Sequence, residues 1–227
     1  GHKNLCQSKI LKGVDVDGVF QTQVVSEEKQ FWPIPNDMSP QAGIAIEVAT
    51  VALAAVNKAN IKLGDHVFIA GAGIVGLFAL QFAKLAGADV TVMDLSKERL
   101  AIAKRLGAEV CNGKDDLPPN VDIAIDCAGV EATINTCLSV VKNAGLVINI
   151  GLGGKPASLD MMNITRRELT IRGSVACTTE FPTVIKLFSE GSVDVGAVVT
   201  HTVPFDKLVD GIHMMLSQEA IKLAVEV

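Results

Sequence analysis

The stretch HVFIAGAGIVGLFALQFAKLAGADVTVMD, residues 66–94, decides the fold. A short apolar run, Val67 to Ala70, leads into the turn Gly71-Ala72-Gly73-Ile74-Val75-Gly76. A helical pattern runs from about Ile74 to Leu85 and is ended by Gly87, and a second apolar run, Val90 to Met93, stops at Asp94. Strand, glycine turn, helix, strand and acid, in that order, make the dinucleotide-binding unit of a doubly wound sheet. Gly71 permits the tight turn out of the strand. Gly73 lets a pyrophosphate approach the bare main chain, and Gly76 lets the helix pack close to the strand. The helix N-terminus, at Ile74 and Val75, offers unpaired N–H groups and a partial positive charge that suit a diphosphate. Asp94 falls 18 residues after Gly76, where a carboxylate accepts hydrogen bonds from an adenosine ribose and repels a 2′-phosphate. That favours NAD over NADP.

A glycine turn with a purely structural role is the alternative to this reading. A membrane span is another, because Val67 to Ala83 contains a single polar residue, Gln81. The glycines and the lack of a basic flank argue against it, and a strand buried on both faces is apolar throughout in any case.

The chain has 227 residues, 49% of them hydrophobic, enough for one large domain or for one domain and part of another. Its net charge of −5 carries no basic footprint for nucleic acid or for an anionic membrane surface. Five cysteines (6, 111, 127, 137 and 177) form no CxxC pair, which fits thiols in a reducing cytoplasm better than a disulfide scaffold.

Around the central unit, Gly18 to Val25 is β-rich and reads as a strand, closed by Pro33 and Pro35. Ser39 and Pro40 open a helix that runs to about Asn57 and is apolar nearly all round except for Glu47. Such a carboxylate sits on a thin solvent stripe, or is paired, protonated or bound to metal. Ser96 caps a helix from Lys97 to Leu106. Strands follow at 108–111, 122–127, 145–150 and 169–175, with a polar loop at 114–120 and helices at 131–141 and 180–189. Alternating strands and helices predict an α/β fold with a six-stranded, doubly wound parallel sheet of the Rossmann type. Ligands of such sheets lie outside the carboxyl ends of the strands. The turns after residues 70, 127 and 150 fall at such ends, although Gly151 to Gly154 is also readable as a plain flexible turn. From residue 198 the pattern becomes strand (198–203), helix (205–217), strand (221–227), which points to a separate layer.

The chain resembles the medium-chain dehydrogenase/reductases, in particular the zinc-dependent alcohol and polyol dehydrogenases. Residues 1–6, GHKNLC, resemble the end of a structural-zinc lobe; DGVFQTQVV at 17–25 resembles the family strand G-x-F-A-E-Y-V-V. EVATVALAA at 47–55 resembles E-P-L-A-V-A-L-H-A, and IKLGDHV at 61–67 and LTIRGS at 169–174 are also similar. The resemblance implies three parts: a remnant of a GroES-like catalytic domain at 1–40, an NAD-binding Rossmann domain at 41–195 and a return to the catalytic domain at 196–227. It implies that most of the catalytic domain would precede this sequence, which then reads as a piece of a longer enzyme that is inactive alone.

The resemblance further implies reversible hydride transfer between a secondary alcohol, a polyol first and an amino alcohol next, and NAD, with zinc in the intact enzyme. Cys6 matches a structural-zinc ligand whose three partners are missing, and Glu47 an acid at the catalytic zinc. Val48 and Ala54 stand where the family has Pro and often His; Ala54 implies another proton route or a non-dehydrogenase variant. Arg99 matches a basic residue beside the adenosine, or is a surface helix arginine. Cys127, Ala128, Gly129, Gly151, Leu152, Gly173 and Ser174 match the seat of the nicotinamide half. His66 and His201 are not at ligand spacing and read as structural. A homo-oligomer joined through residues 147–154 and the sixth strand is also implied. A noncatalytic NAD-binding module, a zinc-free NADPH quinone or enone reductase and, with poorer fit, a methyltransferase remain open.

Overall fold

The structure, a computed structural model, describes residues 3–113, 116–176, 179–217 and 219–226. The expectations placed on Gly1, His2, Cys177, Val227 and part of the 114–120 loop therefore lie outside the described residues. The chain gathers into two compact units: Glu47–Val175, and Gly1–Ile46 with Ala176–Val227.

In the first unit the parallel sheet holds β1 (His66–Ala70), β2 (Asp89–Met93), β3 (Glu109–Cys111), β4 (Val121–Asp126), β5 (Val141–Asn149) and β6 (Thr170–Gly173). Their spatial order is β3-β2-β1-β4-β5-β6. β1 lies at the centre, with Val67 opposite both Val90 and Ile123. The order reverses between β1 and β4, which is the switch point where such sheets open a crevice. The helices are α2 (Ile74–Leu85), α3 (Lys97–Arg105), α4 (Glu131–Val140) and α5 (Met161–Arg166); α1 (Pro40–Ala59) runs across the unit boundary.

The local chemistry explains the element ends. Ser39 Oγ accepts the N–H of Ala42 and Ser96 Oγ that of Arg99, both at 3.2 Å, so each serine caps its helix. Asn60, in the left-handed region at φ 52°, ends α1. Phe68, Ile69, Leu77, Phe78 and Leu80 have no exposure, and each such side chain contributes about 1.5–3 kcal/mol on burial. The run 67–83 thus lies across a five-residue strand, His66–Ala70, and a twelve-residue helix, Ile74–Leu85, parted by the glycine turn. α1 has the length and composition to cross a membrane, but 56% of its most apolar window is buried, and a core helix passes the same test.

Three expectations are corrected. Residues 18–25 form no strand; Phe20 is 67% exposed and Val25 95%, and no strand among the described residues pairs with them. An extended segment without a neighbouring strand has no ladder to join. β5 begins at Val141 rather than Gly145, because Val141 pairs with Val121 ahead of a register shift that includes Ala144 at φ 58°. The six-residue helix α5 has no counterpart in the sequence reading; Asp160 caps it by accepting the Asn163 N–H at 3.0 Å.

In the second unit, α6 (Phe181–Ser189) stacks Phe181 on Trp32 with ring centres 5.1 Å apart. β7 (His201–Pro204), α7 (Leu208–Leu216) and β8 (Leu223–Glu226) form a strand–helix–strand unit with parallel strands.

Candidate functional site

The site builds from β1 outward. Gly71, at φ 103°, turns the chain out of β1, and its N–H donates to the Met93 carbonyl at 2.7 Å. That φ strains any residue with a Cβ. Gly73 is the N-cap of α2 in an extended conformation (φ −73°), and a Cβ built on it meets nothing within 4 Å. Ile74 and Val75, half-buried, start the helix. Gly76 is the opposite case: a Cβ there would lie 1.8 Å from the Gly71 carbonyl oxygen. Helix and turn touch main chain to main chain.

Asp94 follows β2 and reaches back to the turn. Its Oδ2 accepts the Ala72 N–H at 2.7 Å, and its Oδ1 accepts the Ser96 N–H at 2.9 Å. Each carboxylate oxygen keeps a further lone pair for a ligand hydroxyl. Arg99 lies on the first turn of α3, half-buried.

At the other strands, Cys127, Ala128 and Gly129 follow β4, Gly151 and Leu152 follow β5 by way of Ile150, and Gly173 and Ser174 close β6. The structure thus gathers all of these at the carboxyl ends of the strands. Leu152 is 88% exposed. Ser174 is buried; its hydroxyl accepts from Lys58 Nζ and its N–H donates to the Asn149 carbonyl, both at 2.8 Å, so both groups are already engaged within the fold. A cavity of about 570 Å³ borders the 151–157 loop, lined by Asp126, Asn149 and Ile171 among others. Lys58, Asp126 and Asn149 carry little signal in the sequence; the one available sign is an acid that follows the apolar run Ile123 to Ile125.

Neither metal-ligand candidate belongs to a ligand set among the described residues. Glu47 and Cys6 are both exposed, and no group of three or more His, Cys, Asp or Glu able to hold a metal occurs among the described residues. A closed structural zinc site takes four ligands and a catalytic one three. The described residues therefore do not fit zinc. His66 Nε2 bonds Thr91 Oγ1 and His201 Nδ1 bonds Thr200 Oγ1, each at 2.9 Å, as structural histidines do.

Three of the thiols, Cys111, Cys127 and Cys137, are held in their unreactive form. Burial, then the charge of Asp116, pushes Cys111 up to about 11; burial, then the charge of Asp126, raises Cys127 and Cys137 well above the usual thiol range. A raised thiol stays neutral at pH 8, and the thiolate is the reactive form. Maleimide labelling of the native chain at that pH, followed by peptide mapping, is expected to modify exposed Cys6 and to spare Cys111, Cys127 and Cys137 until denaturant is added.

Residues 75–190 match the family described as zinc-binding dehydrogenase, a segment that covers just over half of the chain. The chain belongs to the zinc-binding dehydrogenases. Sorbitol dehydrogenase of Gallus gallus is 29% identical over 209 residues, which cover 86% of this chain and 59% of that protein. This zinc-binding dehydrogenase sequence thus spans about six-tenths of the length of that curated relative. Among solved structures, 2R,3R-butanediol dehydrogenase from Bacillus subtilis superposes with a TM-score of 0.92 at 27% identity, over 100% of this chain and 70% of that one. A short chain alcohol dehydrogenase from Escherichia coli CFT073, complexed with NADH, gives 0.90 at 27% identity, over 98% and 69%. The six-stranded parallel Rossmann sheet is therefore a shared family fold.

Proposed function

We propose that this chain seats NAD(H) across the carboxyl ends of β1, β2 and β4–β6, in the service of NAD-linked oxidation of a secondary alcohol, a polyol foremost. One observation carries the reading: Gly73 has no reason within the fold to be glycine. Its φ suits any residue and the space beside it is open. A glycine there makes sense if a ligand takes that space, and a diphosphate on the helix N-terminus is the ligand that chemistry favours.

In this proposal the N–H groups at Ile74, Val75 and Gly76 face the diphosphate. Asp94 holds the adenosine ribose, with Arg99 beside it. The main chain at Cys127–Gly129, Gly151–Leu152 and Gly173–Ser174 orients the nicotinamide half. The nicotinamide, when bound, supplies the hydride acceptor; the chain binds and orients it and shields it from water. Named relatives that act on sorbitol and butanediol, and one bound to NADH, support the assignment. Because the described residues do not fit zinc, no step is assigned to a metal, and the chain alone is proposed to bind without turnover. The three-part division at residues 40 and 195 belongs to the same proposal.

The test is Gly73→Ala. Alanine at a compatible φ stabilises by about 0.4–1 kcal/mol, so the melting temperature should hold or rise slightly. NADH affinity should fall by about tenfold or more, since a lost charge-assisted contact is worth roughly 1.5–3 kcal/mol. Unchanged affinity would remove the reason for the proposal.

We also propose self-association through β6, whose four residues are exposed at the open edge of the sheet. Light scattering that shows only monomer at high concentration would contradict it. A cytoplasmic setting is proposed because the four described cysteines are free thiols. A disulfide among them in protein isolated without reductant would contradict that.

A further inference from the structure

Asp126, the last residue of β4, is fully buried. Its Oδ1 accepts the N–H groups of Ala128 at 3.0 Å and Gly129 at 2.9 Å. Its main-chain carbonyl accepts those of Ile150 and Gly151, both at 3.0 Å. One residue therefore fastens the loop after β4 and the loop after β5. The two loops cross with main chain against main chain. A Cβ on Gly129 would lie 2.3 Å from the Gly151 carbonyl carbon, one on Gly151 2.2 Å from the Gly129 nitrogen, and one on Gly153 1.7 Å from the Gly129 oxygen.

Folding stability alone does not account for an acid here. The rest of β4 is apolar from Ile123 to Ile125, and a valine would continue it. Asp126 Oδ2 has no hydrogen-bond partner among the described residues. Neither has Oδ1 of Asn149, its register partner on β5. Two buried acceptors without donors weigh against the folded state. What the acid does supply is an acceptor for two successive loop N–H groups, in an Asx-type turn that sets how the crossing is presented at the end of the sheet.

We propose that Asp126 is a positioning residue: it holds the crossing of the two glycine loops in the geometry that seats the nicotinamide half of the dinucleotide. The inference rests on the cofactor reading above. The side chain acts through the main chain of residues 128–129, while the carbonyl that holds residues 150–151 is kept in every variant.

The test compares two ligands on the full 227-residue chain: NADH, and ADP-ribose, which carries the diphosphate and both riboses but no nicotinamide. Asp126→Ala is expected to weaken NADH by about tenfold, as the loss of a hydrogen-bonded contact does, and to leave ADP-ribose within about twofold. Asp126→Asn is expected to restore NADH binding, because its carbonyl still accepts from the loop and its NH₂ offers a donor to Asn149. Should Asp126→Ala fail to fold, Asp126→Ser keeps one acceptor in a smaller side chain, and an intermediate loss confined to NADH is expected. Equal losses for both ligands, no loss for either, or no rescue by asparagine would overturn the proposal. If the unaltered chain binds neither ligand, the cofactor reading itself fails and takes this inference with it. If it binds both and the variants lose them together, only the inference fails.

Discussion

Gly76→Ala is expected to remove dinucleotide binding and to lower the melting temperature by roughly 6–12 °C, the equivalent of about 3 kcal/mol or more. The added carbon would lie 1.8 Å from the Gly71 carbonyl oxygen and 3.0 Å from its carbon. Both atoms are main chain, so no flexible side chain can yield. α2 cannot lift away cheaply either, because Leu77, Phe78, Ala79 and Leu80 behind Gly76 are all fully buried. The glycine turn must therefore deform, and it deforms at the point proposed to receive the diphosphate. Thermal denaturation followed by circular dichroism measures the first effect, and an NADH titration at low temperature the second. A shift of less than about 2 °C would mean that the close approach of helix and turn is not the constraint described.

Asp94→Asn is expected to weaken NADH about tenfold while NADPH changes little or improves. A charge-assisted hydrogen bond to a ribose hydroxyl is worth roughly 1.5–3 kcal/mol, and the variant keeps the shape but not the charge. It also removes the repulsion of a 2′-phosphate. Asp94→Ala should do more than this, for a reason visible only in the structure. The carboxylate accepts the N–H groups of Ala72 and Ser96, so alanine leaves both donors without it. Loss of stability of about 1 kcal/mol or more is expected for alanine and less for asparagine, which retains one acceptor. Paired titrations with NADH and NADPH, alongside denaturant unfolding, separate the two contributions. An NADH affinity that both variants leave untouched would detach Asp94 from any ribose.

The part of the fold that the sequence made legible is the part whose determinants are local. β1, the glycine turn, α2 and β2 were read to within a residue or so, because each boundary is marked by a glycine, an acid or a change of hydrophobic period. Ser39 and Ser96 were readable as caps for the same reason. What escaped depends on partners distant in sequence. Residues 18–25 have the composition of a strand, but no strand among the described residues lies alongside to complete a ladder. The early start of β5 is dictated by Val121 across the sheet, not by Val141 itself. α5 is six residues long, too short for a helical period to show.

The site follows the same division. The glycines and Asp94 announce themselves by spacing, whereas Asp126 is an ordinary strand-ending acid until its four accepted N–H groups are seen. Glu47 and Cys6 show the converse: each matches a motif, yet a metal site is a property of several side chains in one place. Ser174 was legible as a position but not as a hydroxyl already engaged by Lys58.

Calorimetric titration of the unaltered chain with NADH and NADPH tests the central claim most directly. The account predicts saturable binding of one NADH per chain, and at least tenfold weaker binding of NADPH because of Asp94. No heat with NADH, or a preference for NADPH, would contradict it.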